Sequence, residues 1–497
     1  MFSKKDYIKY RFLEIIPGML IWLIFFVTII ISFLKPIWVI YFIIVFDLYW
    51  FFRIIYFLFY VFISWRRFQK DIKINWLEKV ESIPDWEKIY HVIFLPTYKE
   101  GIEILRTTFE NLVKINYPLD KLIIVLAGEE KDKENFFKNV EIIKKEFENK
   151  FYKLLITLHP YGLPGDLVGK GSNITWAGER VKEFIDQEKI PYENIIVSSF
   201  DIDTCPHPQY FCYLTYKYLT HPNPTRASYQ PLTLFHNNIW DASAIARVMS
   251  NCTSFWLLTE LVKPERLITF SSHSMSFKAL VDVGFWQRDI VSEDSRIYLQ
   301  AMAYYQGNYS IVPMYIPISM DTVLGKTFWR SMIGIYKQQR RWAYGIENFP
   351  FMVWYFKRNK VPFLKRIRFY WNQLEGGFFW VMGPILIFIL GWLPLFIINW
   401  QNKGIENVLT QTTPYVLEKL MNASMIGVFA LSILSTLILP PRPQKHKKSR
   451  ILLMFLQWLL LPITLIIFSA IPAIDAQTRL MLGKYLGYEV TEKARKH

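Results

Sequence analysis

The chain has 497 residues, of which 52% are hydrophobic and 18% aromatic, and it carries a formal net charge of +16. Such a composition excludes an ordinary water-soluble enzyme. Three cysteines without a Cys-x-x-Cys pair argue against a disulfide framework, and no recognisable nucleic-acid module accompanies the positive charge.

Two apolar stretches, residues 15–34 and 38–63, approach or reach the length that crosses a bilayer. No small-residue cleavage site follows the first, so it reads as a retained anchor. Lys4, Lys5, Lys9 and Arg11 precede the pair, and Arg66 and Arg67 follow it. Basic flanks mark the cytoplasmic side, which puts both ends of the hairpin and the region after it in the cytoplasm. Asp47 and Arg53 fall inside the second stretch, where an ionisable residue is a functional-site hypothesis. They lie about 120° apart on a helix and should not pair with each other. Three further apolar stretches, residues 377–400, 425–439 and 451–471, form a second membrane block, with Lys445, Lys447, Lys448 and Arg450 before the last.

The region from 66 to about 344 has ordinary soluble character. Short β-branched runs at 90–95, 121–126, 153–158 and 194–200 predict strands. Helical patterns at 103–114, 129–150 and 174–187 alternate with them. That order predicts a mostly parallel sheet whose carboxyl-end loops converge on one cleft.

The chemistry-bearing residues sit on those loops. Asp201 and Asp203 close the fourth predicted strand, one residue apart, and offer hard oxygen ligands to Mg²⁺ or Mn²⁺. Cys205, His207 and Cys212 lack a fourth spaced ligand and are flanked by prolines, so a zinc site is rejected. The glycine-rich loop 162–173 reads either as an ordinary helix start or as an anion site whose Lys170 and backbone amides approach phosphate oxygens, without Walker or dinucleotide spacing. Ser292-Glu293-Asp294 before a helix reads either as a cap with a dipole-friendly first turn or, beside a metal pair, as the source of a general base. Gln338 to Trp342 lie on a helix at 327–344 whose Phe328, Trp329, Met332, Ile333, Ile335 and Tyr336 can cover the membrane surface. Arg341 then either snorkels or grips a diphosphate, and Trp342 either belongs to the aromatic belt or meets a sugar face.

In order along the chain, Pro96-Thr97-Tyr98-Lys99-Glu100, Lys170-Gly171-Ser172-Asn173, Asp201-Ile202-Asp203, Ser292-Glu293-Asp294 and Gln338-x-x-Arg341-Trp342 resemble the motifs of membrane-integrated family 2 glycosyltransferases. That group includes cellulose and hyaluronan synthases. The resemblance implies an α/β GT-A (Rossmann-like) cytoplasmic catalytic domain inserted between transmembrane helices, a nucleotide-sugar donor, a divalent metal, and inversion at the anomeric carbon. It implies that Thr97, Tyr98 and Glu100 line the base and ribose, that Lys170 approaches the diphosphate, and that Asp201 and Asp203 hold Mg²⁺ or Mn²⁺. Asp294 would be the base, with Glu293, Gln338, Arg341 and Trp342 bounding the acceptor and diphosphate. Where the family carries an aspartate pair after the second strand, this chain has Glu129-Glu130, so Glu129 is the expected substitute. Tyr488 to Lys493 looks like the gating motif of cellulose synthases. Three crossings after the catalytic domain would strand that tail outside, so either Pro462 and Pro472 break the last segment into a re-entrant or interfacial piece or the motif match is accidental.

The expected organisation is a membrane hairpin at 1–66, a GT-A domain at 67–345, an interfacial segment at 346–373, and a membrane block with a cytoplasmic tail at 374–497. The expected activity is extension of a polysaccharide of the cell envelope, from a UDP-sugar first or a GDP-sugar second, in the inner membrane. Accessory export subunits are candidate partners, and nucleic acid is not. Two alternatives remain: transfer of one sugar to a lipid-linked acceptor, and an inactive scaffold or transporter that keeps the fold.

Overall fold

The computed structural model describes residues 3–401 and 408–487. Its strands are β1 (Tyr90–Pro96), β2 (Leu122–Glu129), β3 (Lys153–His159), β4 (Ile195–Ser199), β5 (Cys205–Pro206), β6 (Ala227–Leu234), β7 (His273–Ser276) and β8 (Ser310–Ser319). They form one sheet in the order β3-β2-β1-β4-β7-β6-β8-β5. The expected parallel half is present, because β3, β2, β1 and β4 pair in parallel. Beyond β4 the sheet turns mixed, with β7 antiparallel to both β4 and β6.

Strands β2 and β4 are buried along their whole length, so both faces need covering. Alternate side chains serve opposite faces. Val92, Phe94, Val125 and Val197 enter one apolar cluster, while Ile93, Leu95, Ile124 and Ile196 enter the other. Helix Lys170–Glu188 covers the first face through Ile174 and Val181. Helices Ile102–Val113 and Lys133–Phe147 cover the second through Phe109 and Ile143.

Two boundaries differ from the sequence reading. Strand β2 runs on to Glu129, and its following helix starts only at Lys133, so Glu129 ends a strand rather than opening a helix. The helix expected from 174 begins at Lys170, which puts that lysine in the first turn.

Among the described residues, four helical segments are long and apolar enough to cross a membrane: Lys4–Leu34, Pro36–Asp71, Thr412–Leu437 and Ser449–Met481. Helices Phe363–Phe388 and Leu393–Trp400 act together as a bent segment. The second helix runs on to Asp71 and pins the sheet domain to itself. Tyr213 donates its hydroxyl to Asp71 at 2.8 Å, and Arg67 donates to the Tyr315 hydroxyl at 2.9 Å. As expected, Asp47 and Arg53 do not pair. Arg53 bonds Glu375 on helix Phe363–Phe388, and Asp47 Oδ1 has no partner.

The segment Ser449–Met481 does not carry its far end away from the sheet domain. A straight helix of that length would span about 50 Å. Yet near its start Gln457 accepts from Arg247, and near its end Asp475 accepts from Arg340 at 2.9 Å. Arg11, near the start of the first helix, donates to the carbonyls of Leu480 and Met481. Pro462 and Pro472 each sit at the start of a short helical piece, with a π-helical turn at Ile466–Ala470 between them. This broken run is laminated between the sheet domain and the membrane helices, and Met481 returns to the sheet-domain side. The gating-like motif at 488–493 lies outside the described residues.

Candidate active site

Lys170 is the centre of the site. Its ammonium lies at the positive end of its own helix with its side chain 5% exposed, an unfavourable place for a cation on both counts. Three carboxylates offset this: Nζ lies 2.8 Å from Asp201 Oδ1, 2.9 Å from Asp294 Oδ1 and 4.0 Å from Glu293 Oε1. Burial opposes its charge, but those carboxylates outweigh burial and raise its pKa. Glu293 is pushed up to about 8, by burial first and by Asp294 second, against the pull of Lys170. At neutral pH Glu293 is therefore held as the neutral acid.

Asp201 and Asp203 share the cleft but are not equivalent. The Asp201 side chain is 26% exposed, and its Oδ2 accepts from Ser271 at 2.7 Å. Asp203 is 0% exposed, and its Oδ2 accepts from the Asp321 backbone N–H at 2.8 Å. The two aspartates of Asp-x-Asp are thus one rim carboxylate and one buried carboxylate. Among the described residues, no group of three or more His, Cys, Asp or Glu side chains is arranged to hold a metal.

On the far side of the cleft, β1 ends at Pro96 and releases a tight turn with Lys99 at φ 67°. Glu100 fastens that turn by accepting from the Thr97 hydroxyl at 2.9 Å and from the Tyr98 N–H at 2.5 Å. Glu129 ends the neighbouring strand and accepts from His159 at 2.9 Å. All six residues named from sequence for the donor, Thr97, Tyr98, Glu100, Glu129, Lys170 and Asp201, line the cleft.

Ser292 does not cap its helix, so the simple capping reading fails. Its N–H and hydroxyl both donate to Glu347 Oε1, at 3.1 and 2.6 Å. Arg296 reinforces the junction by donating to Asn348 Oδ1 at 2.7 Å. Helix Glu293–Tyr304, which carries Asp294, is thereby clamped to the turn that follows helix Phe328–Ala343. On that latter helix Gln338, Arg341 and Trp342 face the cleft, while Arg340 points the other way to Asp475.

The apolar face of helix Phe328–Ala343 divides. Phe328, Trp329 and Ile333 are exposed, as a bilayer-covering face requires, but Met332 and Ile335 are buried against Ala246, Met249 and Phe468. The helix is wedged between two packed layers, because residues three apart share the inner face.

The cleft has a volume of about 1040 Å³ and runs from Tyr98 and Glu129, past Asp201 and Asp294, to Trp342. It continues among Trp50 and Arg53 of the second helix, Phe379 and Trp380, and Leu465 and Ser469 of the broken segment. Sequence reasoning missed Ser271, Glu347, His159 and Asp166. Two of them left a signal: His159 directly follows the run 153–158 predicted as a strand, and Asp166 lies in the glycine-rich loop 162–173.

A family model described as glycosyl transferase family group 2 matches residues 196–473. No curated protein matches the chain closely enough to count as a relative. Among solved structures, the mannosyltransferase PcManGT from Pyrobaculum calidifontis, in complex with GDP-Man and Mn²⁺, is 14% identical with a TM-score of 0.47. That match covers 89% of this chain and 99% of the other. TarS 1-349 from S. aureus, in complex with UDP-GlcNAc, is 11% identical with a TM-score of 0.37, covering 80% and 92%. With more than half of its length matched by the family model, the chain belongs to glycosyl transferase family group 2 and is a glycosyltransferase.

Proposed function

We propose that this enzyme moves a sugar from a nucleotide-sugar onto a hydroxyl of a growing polysaccharide, with inversion, and that the product leaves between the membrane helices. The observation that carries the reading is the unbroken cleft, which joins Asp294 to the helix-lined space at Trp50 and Trp380. Asp294 takes the acceptor hydroxyl's proton as that oxygen attacks the anomeric carbon. The bond to the diphosphate breaks, and the nucleoside diphosphate leaves. In the observed arrangement Lys170 holds both Asp294 oxygens, at 2.9 and 3.2 Å. A donor diphosphate competes for that ammonium and frees the base as it binds.

Asp201, with Asp203 behind it, suits Mg²⁺ or Mn²⁺, which sites of this kind bind through one or two carboxylates plus substrate phosphates. The ammonium seated on Asp201, in the place a cation would take, supports this reading. When bound, the ion neutralises charge on the departing diphosphate. Thr97, Tyr98, Glu100 and Glu129 take the nucleoside, Arg341 the diphosphate, and Gln338 and Trp342 the acceptor sugar, with Glu293 as their neutral neighbour. The catalytic domain faces the cytoplasm at the inner membrane. Extents of 1–66, 67–345, 346–373 and 374–497 describe the hairpin, catalytic, interfacial and membrane parts.

One observation favours a second reading. The bilayer end of the cleft carries Arg53 and Arg266 among Trp50, Trp256 and Trp380, which also suits a lipid-linked acceptor receiving a single sugar. An inactive scaffold has no comparable support, since Asp201, Asp203 and Asp294 all line one cleft. The deciding experiment incubates the purified protein in lipid with a panel of nucleotide sugars and sizes the product. A ladder of lengthening chains supports the polymer reading, and a single addition that partitions with lipid supports the second. Absence of transfer from every donor overturns both.

A further inference from the structure

Glu129 and His159 are register partners at the carboxyl ends of β2 and β3. Glu129 is buried, and its Oε2 is 2.9 Å from His159 Nδ1. Its other oxygen, Oε1, is shut away from water yet has no hydrogen-bond partner, although Glu129 lines the donor end of the cleft. Such an orphaned acceptor is costly unless a ligand fills it. Behind it, His159 Nε2 is 3.0 Å from Asp166 Oδ2. An imidazole donates to two carboxylates at once only when both nitrogens are protonated.

We propose that His159 and Asp166 form a proton-dependent brace that fixes Glu129, so that its one unpartnered oxygen receives a single N–H from the donor's nucleobase. The imide N–H of a uracil-type base matches one unpartnered oxygen. Guanine presents two adjacent N–H groups that together take both oxygens of a carboxylate, and here Oε2 is already engaged. This rests on the donor-site reading given above and adds to it the residues that position Glu129.

The surroundings hold the brace in place. Arg288 lies 3.9 Å from Asp166 and also bonds Glu179. Trp176 meets the His159 ring edge-on and carries Arg180 on its own face. Glu130 accepts from the Tyr161 N–H, and Lys131 lies over the Tyr161 ring, so both are engaged beside the brace. Burial lowers the affinity of His159 for its proton, but the bonds to Glu129 and Asp166 outweigh burial and raise it above the ordinary 6.5. The brace is therefore complete below that value and is lost as pH rises through the elevated one. One carboxylate then faces a lone pair and swings away.

Calorimetric titration of the full chain in lipid nanodiscs with UDP and with GDP, between about pH 6 and about pH 9, tests this. We expect UDP to bind more tightly than GDP throughout, and UDP affinity to fall about tenfold across the range. His159→Asn should bind UDP about tenfold more weakly at the acid end and lose that pH dependence, leaving only the titration of the nucleotide itself. Asp166→Asn, nearly isosteric, should move the midpoint to lower pH, a shift that a merely structural residue would not cause. It also decides the matter should His159→Asn fail to fold. Unchanged affinity and an unchanged profile in Asp166→Asn, while the unaltered protein binds UDP, overturn the brace and leave the donor site standing. Tighter GDP than UDP binding overturns the base assignment. Failure of the unaltered protein to bind either nucleotide overturns the donor-site reading and the brace with it.

Discussion

The two ends of the cleft are built in opposite ways. The donor end comes from one continuous run of sequence: β1 with its turn at Thr97–Glu100, β2 ending in Glu129, β3 ending in His159, and the helix that opens at Lys170. The acceptor end is assembled from segments far apart in the chain. Asp294 is held through Glu347, Trp342 faces in from another helix, and Trp50, Trp380 and Leu465 arrive from three membrane segments. On the proposed function, donor recognition rests on a locally organised α/β unit, whereas acceptor placement depends on how membrane helices seat against it. Disturbing the membrane half should cost transfer while leaving nucleotide binding intact.

The largest effect probes the seam between the halves. Asp201→Asn, or chelation with EDTA, should abolish transfer, and added Mn²⁺ should restore the chelated protein but not the variant. Full turnover in EDTA would remove the metal from the proposed function. Asp294→Asn comes next. It keeps shape but cannot accept a proton, so turnover should fall by about two orders of magnitude or more with donor affinity retained. Normal turnover would return Asp294 to the role of a first-turn acid that suits the helix dipole.

Trp342→Ala isolates the acceptor end. Loss of its stacking surface should lower transfer to a sugar acceptor about tenfold while hydrolysis of the donor by water persists, and products should shorten. Lost thermal stability without any change in product length would instead make Trp342 a packing residue beside Phe235.

The smallest effect concerns Glu293. Its ordinary value of 4.5 is raised to about 8, so the folded state binds the extra proton between those values and stability falls as pH climbs through that window. Glu293→Gln escapes this. Its melting temperature should match the unaltered protein near the acid end of the window and exceed it by a few degrees at its alkaline end. Equal melting temperatures throughout would mean that Glu293 ionises freely.

Much of the donor half was legible because local pattern and tertiary role agree there. The β-branched runs at 90–95 and 194–200 could bury both faces only as central strands, and residues ending such strands collect at one sheet edge. The acceptor half was less legible. Nothing near Ser292 announces that Glu347, fifty-five positions away, would take its hydroxyl in place of a helix cap. The outward face of helix Phe328–Ala343 was readable at Trp329 and Ile333. Met332 and Ile335, equally apolar, turned inward because a second layer packs on them.

By itself the sequence determined the class of molecule: membrane-length apolar segments around an α/β region, with its chemistry at strand ends, since hydropathy and periodicity are local properties of the chain. Tertiary structure alone decided which carboxylates meet. Asp201, Glu293 and Asp294 gather on Lys170 because a buried ammonium must be neutralised wherever the fold places it. It alone decided that Asp203 is spent on Asp321 while Asp201 stands at the rim on Lys170 and Ser271, and that one oxygen of Glu129 is left without a partner at the end of the cleft. Such choices depend on which groups compete for each donor in three dimensions, and that competition is not written in sequence spacing.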